Sequence, residues 1–181
     1  AWSDAFLTRK DTSKAIQVMD DALLISNEMD TWFKSLELKV ATNSASFETS
    51  YQRFMTFAQG LSKDYGQLLY NEWKLKNKQE ADLEYLSKKS DSSDDRIAGL
   101  AFYLLGLDSF TKQNYEECAL NMMRVIYLFP DFTDLNTKAS YYLILSQHYL
   151  GYKDKALQNF DSYHGSLPVW QTDYLRNKLF K

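Results

Sequence analysis

The stretch between Phe102 and Pro168 contains one pattern twice, and this duplication constrains the fold more than any other feature. The first copy carries, in order, Phe102, Leu105, Gly106, Cys118, Met122 and Pro130. The second copy carries, 38 residues later, Ser140, Leu143, Ile144, Ala156, Phe160 and Pro168. Because the displacement is constant, each copy is expected to be one structural unit that stacks on its neighbour.

Hydrophobic spacing predicts that each copy is a pair of helices joined by a short turn. In the first copy, apolar residues recur at helical spacing over 97–105 and again over 115–126, on either side of a polar corner at 112–114. Pro130 is expected to stop the second helix, because proline lacks an N–H donor and clashes with the preceding turn. Gly151 is expected in the left-handed turn of the second copy. The chain has only 6 glycines and 2 prolines in 181 residues, which favours an all-α protein over a β-sandwich.

The clear repeats cover residues 95–132 and 136–168, and Pro168 is expected to end the second of them. Residues 169–181 place apolar side chains at the spacing of one more helix. A stacked array needs such a capping helix, since its open end would otherwise expose the core.

Weaker echoes of the second-helix spacing occupy residues 1–88. The echo residues are Ala15, Met19 and Ala22, then Ser50, Phe54 and Phe57, then Ala81 and Tyr85. Helices over 32–40 and 65–73 are expected to precede the second and third echoes, and the helix before the first echo is expected to begin before Ala1. We therefore expect one domain over 1–181, built from four to five helical pairs without strands.

The polar run over 87–95 is the one low-complexity segment of the chain. Its serines and aspartates indicate a solvated loop between two parts of the array. A hinge or a regulatory phosphorylation loop is the alternative, because added phosphates would favour the start of the next helix.

A bulky residue, then Leu-Gly beginning three positions later, then a small residue four positions before an aromatic one, then proline, resembles the tetratricopeptide repeat. The resemblance implies a right-handed α-solenoid in which Gly106, Cys118 and Ala156 let helices approach closely. Met122 stands where the family usually has an aromatic residue, and Ile144 departs from its Leu-Gly pair.

The sequence favours a protein without catalytic activity, cofactor or metal. It contains no phosphate-binding glycine loop and no hydrolase or metalloprotease motif. Cys118 lies on the apolar helix face, where packing is expected, and His148 and His164 fall on different helices. The net charge of −3 gives no basic surface for nucleic acid.

The resemblance implies that first helices line a concave groove that holds a protein or peptide partner. Its expected contact residues are Tyr70, Trp73, Leu100, Tyr103, Leu107, Phe110, Tyr141, Leu145, His148 and Tyr149. Such a groove suits an apolar helix or extended peptide, and it lacks the Lys and Asn set with which some family members clamp a terminal carboxylate. The alternative is that these residues pack on a neighbouring unit or on the C-terminal helix. If they bind, replacing Tyr103 and Tyr141 by Ala should weaken partner capture without lowering the melting temperature.

The segment 129–143 is similar to a phrase that recurs in bacterial envelope members of the family, including outer-membrane assembly lipoproteins of the BamD type and the periplasmic TolA-binding coordinators. That similarity favours a periplasmic or outer-membrane-associated assembly factor, with which a lipid anchor upstream of Ala1 is compatible. A cytosolic adaptor or secretion chaperone and a homo-oligomeric module are the alternatives. No apolar run is long enough to span a membrane. A signal peptide upstream of Ala1 would favour the envelope.

Overall fold

The computed structural model describes residues 11–25 and 28–180, and within these ranges the chain forms ten α-helices and no strand. The expectation of an all-α protein is therefore confirmed. None of the described helices is both long and apolar enough to cross a membrane. The expected leading helix of the first echo lies outside the described residues. The fold divides into two compact units with a boundary between Ala81 and Asp82, where we had expected a single array.

The first unit contains four described helices. They are α1 (Thr12–Ile25), α2 (Met29–Ala41), α3 (Phe47–Met55) and α4 (Gly60–Lys76). Helix α2 packs against the other three, and α3 also packs against α4. Ala15 and Phe54, which belong to the sequence echoes, are fully buried, whereas Phe57 lies beyond the end of α3. Two of the weak echoes therefore do mark helices with a buried face.

An ion pair with a buried lysine and a partly exposed aspartate joins helices of the first unit. The side chain of Lys39 on α2 is 1% exposed, and its Nζ lies 2.5 Å from Oδ1 of Asp20 on α1. The same ammonium group donates a hydrogen bond of 2.6 Å to Oγ of Ser50 on α3. Because an unpaired charge is costly to bury, Lys39 constrains where α1 and α3 lie against α2.

The second unit contains six helices. They are α5 (Leu83–Ser90), α6 (Asp95–Thr111), α7 (Tyr115–Leu128), α8 (Thr133–Tyr149), α9 (Lys153–Tyr163) and α10 (Val169–Leu179). Each of these helices contacts the next along the chain, and α8 also packs against α6 and α10. The clear repeats thus appear as the helix pairs α6–α7 and α8–α9, followed by the expected last helix.

Short polar residues begin three of these helices by accepting hydrogen bonds from the first turn. Oδ1 of Asp82 accepts from the backbone N–H of Tyr85 at 3.0 Å, and Oδ1 of Asp94 accepts from that of Ile97 at 3.0 Å. Oδ1 of Asn114 serves α7 in the same way. The side-chain Nδ2 of Asn136 donates hydrogen bonds to the backbone carbonyls of residues 129 and 130, and these bonds fix the turn before α8.

The polar run at 87–95 was expected to be a loop, and for its first half this was wrong. Ser87 to Ser90 form the last turn of α5, so the non-helical part covers only 91–94. Helix α5 is stabilised by the Asp82 cap and by Leu86, which is fully buried, and this outweighs the polar composition of its end.

Gly151 and Pro130 lie just beyond helix ends, as the duplicated pattern predicts, whereas Pro168 does not. Gly151 follows α8 with φ of +79°, as expected for a glycine that ends a helix. Helix α7 ends two residues before Pro130. Pro168 was expected to end the second repeat, but α9 already ends at Tyr163 and Pro168 instead immediately precedes α10. Proline is tolerated there because the first N–H groups of a helix have no partner within it.

Candidate functional site

The ten residues expected to line a groove differ widely in exposure. Five are buried: Leu100, Tyr103, Leu107, Tyr141 and Leu145. Four are half-buried: Tyr70, Trp73, Phe110 and His148. Tyr149 is exposed. Half of the set therefore offers a partner very little surface.

Tyr103 and Tyr141 are part of the core of the second unit, with 3% and 8% of their surfaces exposed. Tyr141 belongs to a buried cluster that includes Phe160 on α9 and Leu175 on α10. Helix α10 therefore covers this end of α8, which was the alternative considered from the sequence. Alanine at either tyrosine would remove buried apolar contacts, so we now expect a lower melting temperature.

Aromatic rings nevertheless reach the surface around the end of α8. We call Phe110, Tyr115, Tyr149, Trp170 and Tyr174 the aromatic surface. The rings of Tyr115 and Tyr149 stack with centroids 4.8 Å apart, and Phe110 lies 6.2 Å from Tyr149. Trp170 is 65% exposed, and Tyr149 and Tyr174 are each 41% exposed. The surface thus combines stacked rings with accessible ring edges and faces.

The aromatic surface rests directly on the buried core. The ring of Tyr141 lies 6.0 Å from that of Trp170 and 6.5 Å from that of Tyr174. Tyr142 links Phe110, at 5.1 Å, to Tyr141, at 5.2 Å. Rings packed in this way have few conformations left to lose when a partner binds.

Two tyrosines of this region, Tyr141 and Tyr149, have raised pKa values. Burial, with smaller contributions from Tyr142, Tyr174 and Tyr149, raises the pKa of Tyr141 from 10.0 to about 12. Burial and a hydrogen bond with Tyr174 also raise the pKa of Tyr149. The hydroxyls are therefore neutral near pH 7, where they can donate or accept hydrogen bonds.

Sequence reasoning did not assign Tyr115, Trp170 or Tyr174 to a site. Helical spacing predicts only that Tyr115 is an apolar member of the second helix and that the other two belong to a capping helix. A signal was present, because Trp170 and Tyr174 are four residues apart and therefore share one helix face. The position of that face beside α8 could not be inferred from the sequence.

Tyr70 and Trp73 belong to a separate stack in the first unit. The rings of Tyr51 and Tyr70 are 4.5 Å apart and nearly parallel, and Trp73 lies 5.6 Å from Phe47. Burial and the neighbouring Glu48 carboxylate raise the pKa of Tyr70. Both predicted contact residues thus pack on α3 and expose only part of their rings.

Cys118 lies on the buried face of α7, where the duplicated pattern predicts a small residue that packs against other helices. The side chain is fully buried, and this burial raises the pKa of its thiol to about 11. A thiol in that state is a poor nucleophile. Among residues 11–25 and 28–180, no three His, Cys, Asp or Glu side chains lie close enough together to hold a metal ion.

Comparison of the chain with protein-family models, curated proteins and solved structures found no match.

Proposed function

We propose that this protein is a non-catalytic scaffold that binds a protein partner through the aromatic surface of its second unit. The observation that carries the proposal is the exposure of Tyr149, Trp170 and Tyr174 above a packed aromatic core. Tyrosine and tryptophan combine a large apolar ring with one polar group, and they are enriched in protein interfaces for that reason.

The proposed architecture is a short right-handed solenoid of tetratricopeptide-like helix pairs. Its support is the order of helix contacts in the second unit, where each helix packs on the next and α8 also packs on α6 and α10. Stacked helix pairs produce this order, because each pair contacts only its neighbours. The twofold sequence pattern of 102–168 supports the same architecture.

The partner is proposed to be an apolar helix or an extended apolar peptide. The rings of the aromatic surface provide the buried area, and the hydroxyl of Tyr149, whose raised pKa keeps it neutral near pH 7, provides a polar group. A few aromatic anchors can supply most of the binding energy of such an interface. The proposed setting, an envelope assembly complex or alternatively a cytosolic adaptor or secretion chaperone, rests on the sequence resemblance alone.

Affinity capture from the native organism, with wild-type protein and the Tyr149→Ala/Trp170→Ala variant as baits, tests the proposal. A partner that the wild type enriches and the variant loses supports it. Equal recovery by both baits, with melting temperatures alike, would exclude the aromatic surface as the binding site. The matched control is Leu61→Ala, which removes an exposed apolar side chain from the first unit.

Self-association through α10 is a second candidate function. Val169 and Phe180, which are 78% and 63% exposed, join Trp170 in leaving much apolar surface uncovered within the described chain. Sedimentation analysis over a concentration series tests this candidate. A dimer that the Val169→Asp/Phe180→Asp variant abolishes would support it, and a monomer at all concentrations would rule it out.

A further inference from the structure

A cleft of about 460 Å³ opens between α7, α8 and α9 in the second unit. Its lining residues include Ala119, Met123 and Tyr127 of α7, Leu143 and Gln147 of α8, and Asn159 of α9. None of its lining residues belongs to the aromatic surface. Its volume is within the range in which protein pockets hold small ligands.

The floor of the cleft is apolar. Ala119 and Leu143 are buried, and Met123 is half-buried beside them. Tyr127 and Tyr152 are exposed at the mouth. An apolar side chain that entered the cleft would therefore exchange water for aliphatic and aromatic contacts.

One wall of the cleft carries side-chain amides. Gln147 is buried, and its Oε1 accepts a hydrogen bond of 2.8 Å from Nδ2 of Asn159. That bond uses the side-chain oxygen of Gln147 and not its side-chain nitrogen. Gln158 is exposed, so its side-chain amide is accessible to a ligand. Amide side chains both donate and accept hydrogen bonds, which matches the alternating N–H and C=O groups of an extended peptide.

Charges of opposite sign also line the cleft. Glu116 is exposed in the first turn of α7, and Lys155 is exposed in the first turn of α9 with its ammonium 5.4 Å from the ring centroid of Tyr152. A ligand with a single charge would match only one of these groups. A peptide with a basic residue and an acidic residue can match both, and charge matching of this kind sets orientation and specificity.

We propose that this cleft binds an extended peptide segment that has an apolar side chain between a basic and an acidic residue. The apolar side chain packs on Met123 and Leu143, and the backbone pairs with the amides of Gln147 and Gln158. The basic residue lies towards Glu116 and the acidic residue towards Lys155. This would be a second binding site, independent of the aromatic surface.

Methyl NMR of the full chain with labelled methionines tests the proposal. The probes are blocked peptides containing Lys-Ser-Phe-Ser-Glu, the reversed order Glu-Ser-Phe-Ser-Lys, and Lys-Ser-Ser-Ser-Glu. One charge order should shift the Met123 methyl resonance saturably, while Met19 and Met55 of the first unit stay unchanged. The fully buried Met122 is an internal control next in sequence. No saturable shift, or an equal shift with the peptide lacking Phe, would overturn the proposal.

Two variants test the chemistry of the cleft. Exchanging its charges, with Glu116→Lys and Lys155→Glu together, should invert the preference for charge order by about threefold per ion pair. Gln158→Trp should block the mouth and weaken binding at least about tenfold, because a bulky ring would occupy the space of the ligand. Ser162→Trp, exposed on the same helix but outside the cleft, should bind as the wild type does. An unchanged charge preference in the exchanged variant, or unchanged binding by Gln158→Trp, would contradict the proposal; melting temperatures verify that each variant is folded.

Discussion

Gly106 of α6 faces Met122 of α7 so closely that a Cβ atom at residue 106 would lie 2.7 Å from Cε of Met122. The next nearest atoms are Cβ of Asn121, at 3.2 Å, and the backbone oxygen of Cys118, at 3.5 Å. The glycine and the small residue at 118 are both members of the duplicated pattern. The close approach of α6 and α7 is therefore the physical basis of part of that pattern.

Gly106→Leu should destabilise the fold by at least about 1–3 kcal/mol, because the new side chain must displace α7. Gly106→Ala should change stability by less than about 1 kcal/mol, since the end of Met122 can move and alanine favours a helix more than glycine does. Urea unfolding followed by circular dichroism measures both. Unchanged stability in the Gly106→Leu variant would contradict the close approach.

Substituting Asp20 and substituting Lys39 should lower the stability of the protein by unequal amounts. Asp20→Ala leaves the buried ammonium with Ser50 alone and should cost about 1–3 kcal/mol, less than a fully buried pair because Asp20 is partly exposed. Lys39→Met removes the charge while keeping much of the volume, so it should cost less. Urea midpoints compare the two. A larger loss of stability for Lys39→Met than for Asp20→Ala would contradict this account. It would mean that the unpaired charge of Lys39 is not the main cost of removing Asp20.

Tyr141 should make the second unit less stable in alkali. Its pKa is about 12 when folded and 10.0 ordinarily, so above about pH 10 the unfolded chain binds fewer protons than the folded one. Stability is then lost as the pH rises from about 10 to about 12. Tyr141→Phe should reduce this loss, as measured by unfolding free energies at several alkaline pH values. An identical pH dependence in both proteins would contradict the raised pKa.

Cys118 should react with a thiol reagent at pH 8 at least about a hundredfold more slowly in the folded protein than in urea, because its thiol is buried and protonated. Absorbance of the released chromophore gives both rates. Cys118→Ala should remain folded, since alanine also fits the small-residue position. A fast native reaction would mean that the helix packing that buries Cys118 opens readily.

The helix pairs of residues 95–163 could be predicted from the sequence because hydrophobic spacing indicates all four helices and Gly151 indicates the turn between α8 and α9. The end of the second pair could not, since α9 ends at Tyr163 and Pro168 lies beyond it. The prediction of a loop was wrong over 87–90, because these polar residues are exposed or half-buried at the end of α5, while the buried Leu86 holds the helix in place. Local composition does not reveal such an anchor.

The candidate site was harder to predict than the helices. Periodicity identified the faces of α6 and α8 correctly as apolar, but could not tell whether water or another helix covers them. Helix α10 buries Tyr141 and Leu145, and its own Trp170 and Tyr174 extend the aromatic surface instead. Which of these side chains are buried and which are exposed depends on where α10 packs, and hydrophobic spacing alone does not determine that.

The most direct test of the central claim measures the affinity of a captured partner for three variants, together with their melting temperatures. Tyr149→Ala/Trp170→Ala should weaken binding by about thirtyfold or more, as expected for interface anchors, with little change in melting temperature. Tyr141→Ala should lower the melting temperature, and Leu61→Ala should change neither quantity. Wild-type affinity in the folded Tyr149→Ala/Trp170→Ala variant would contradict the claim that the aromatic surface binds the partner.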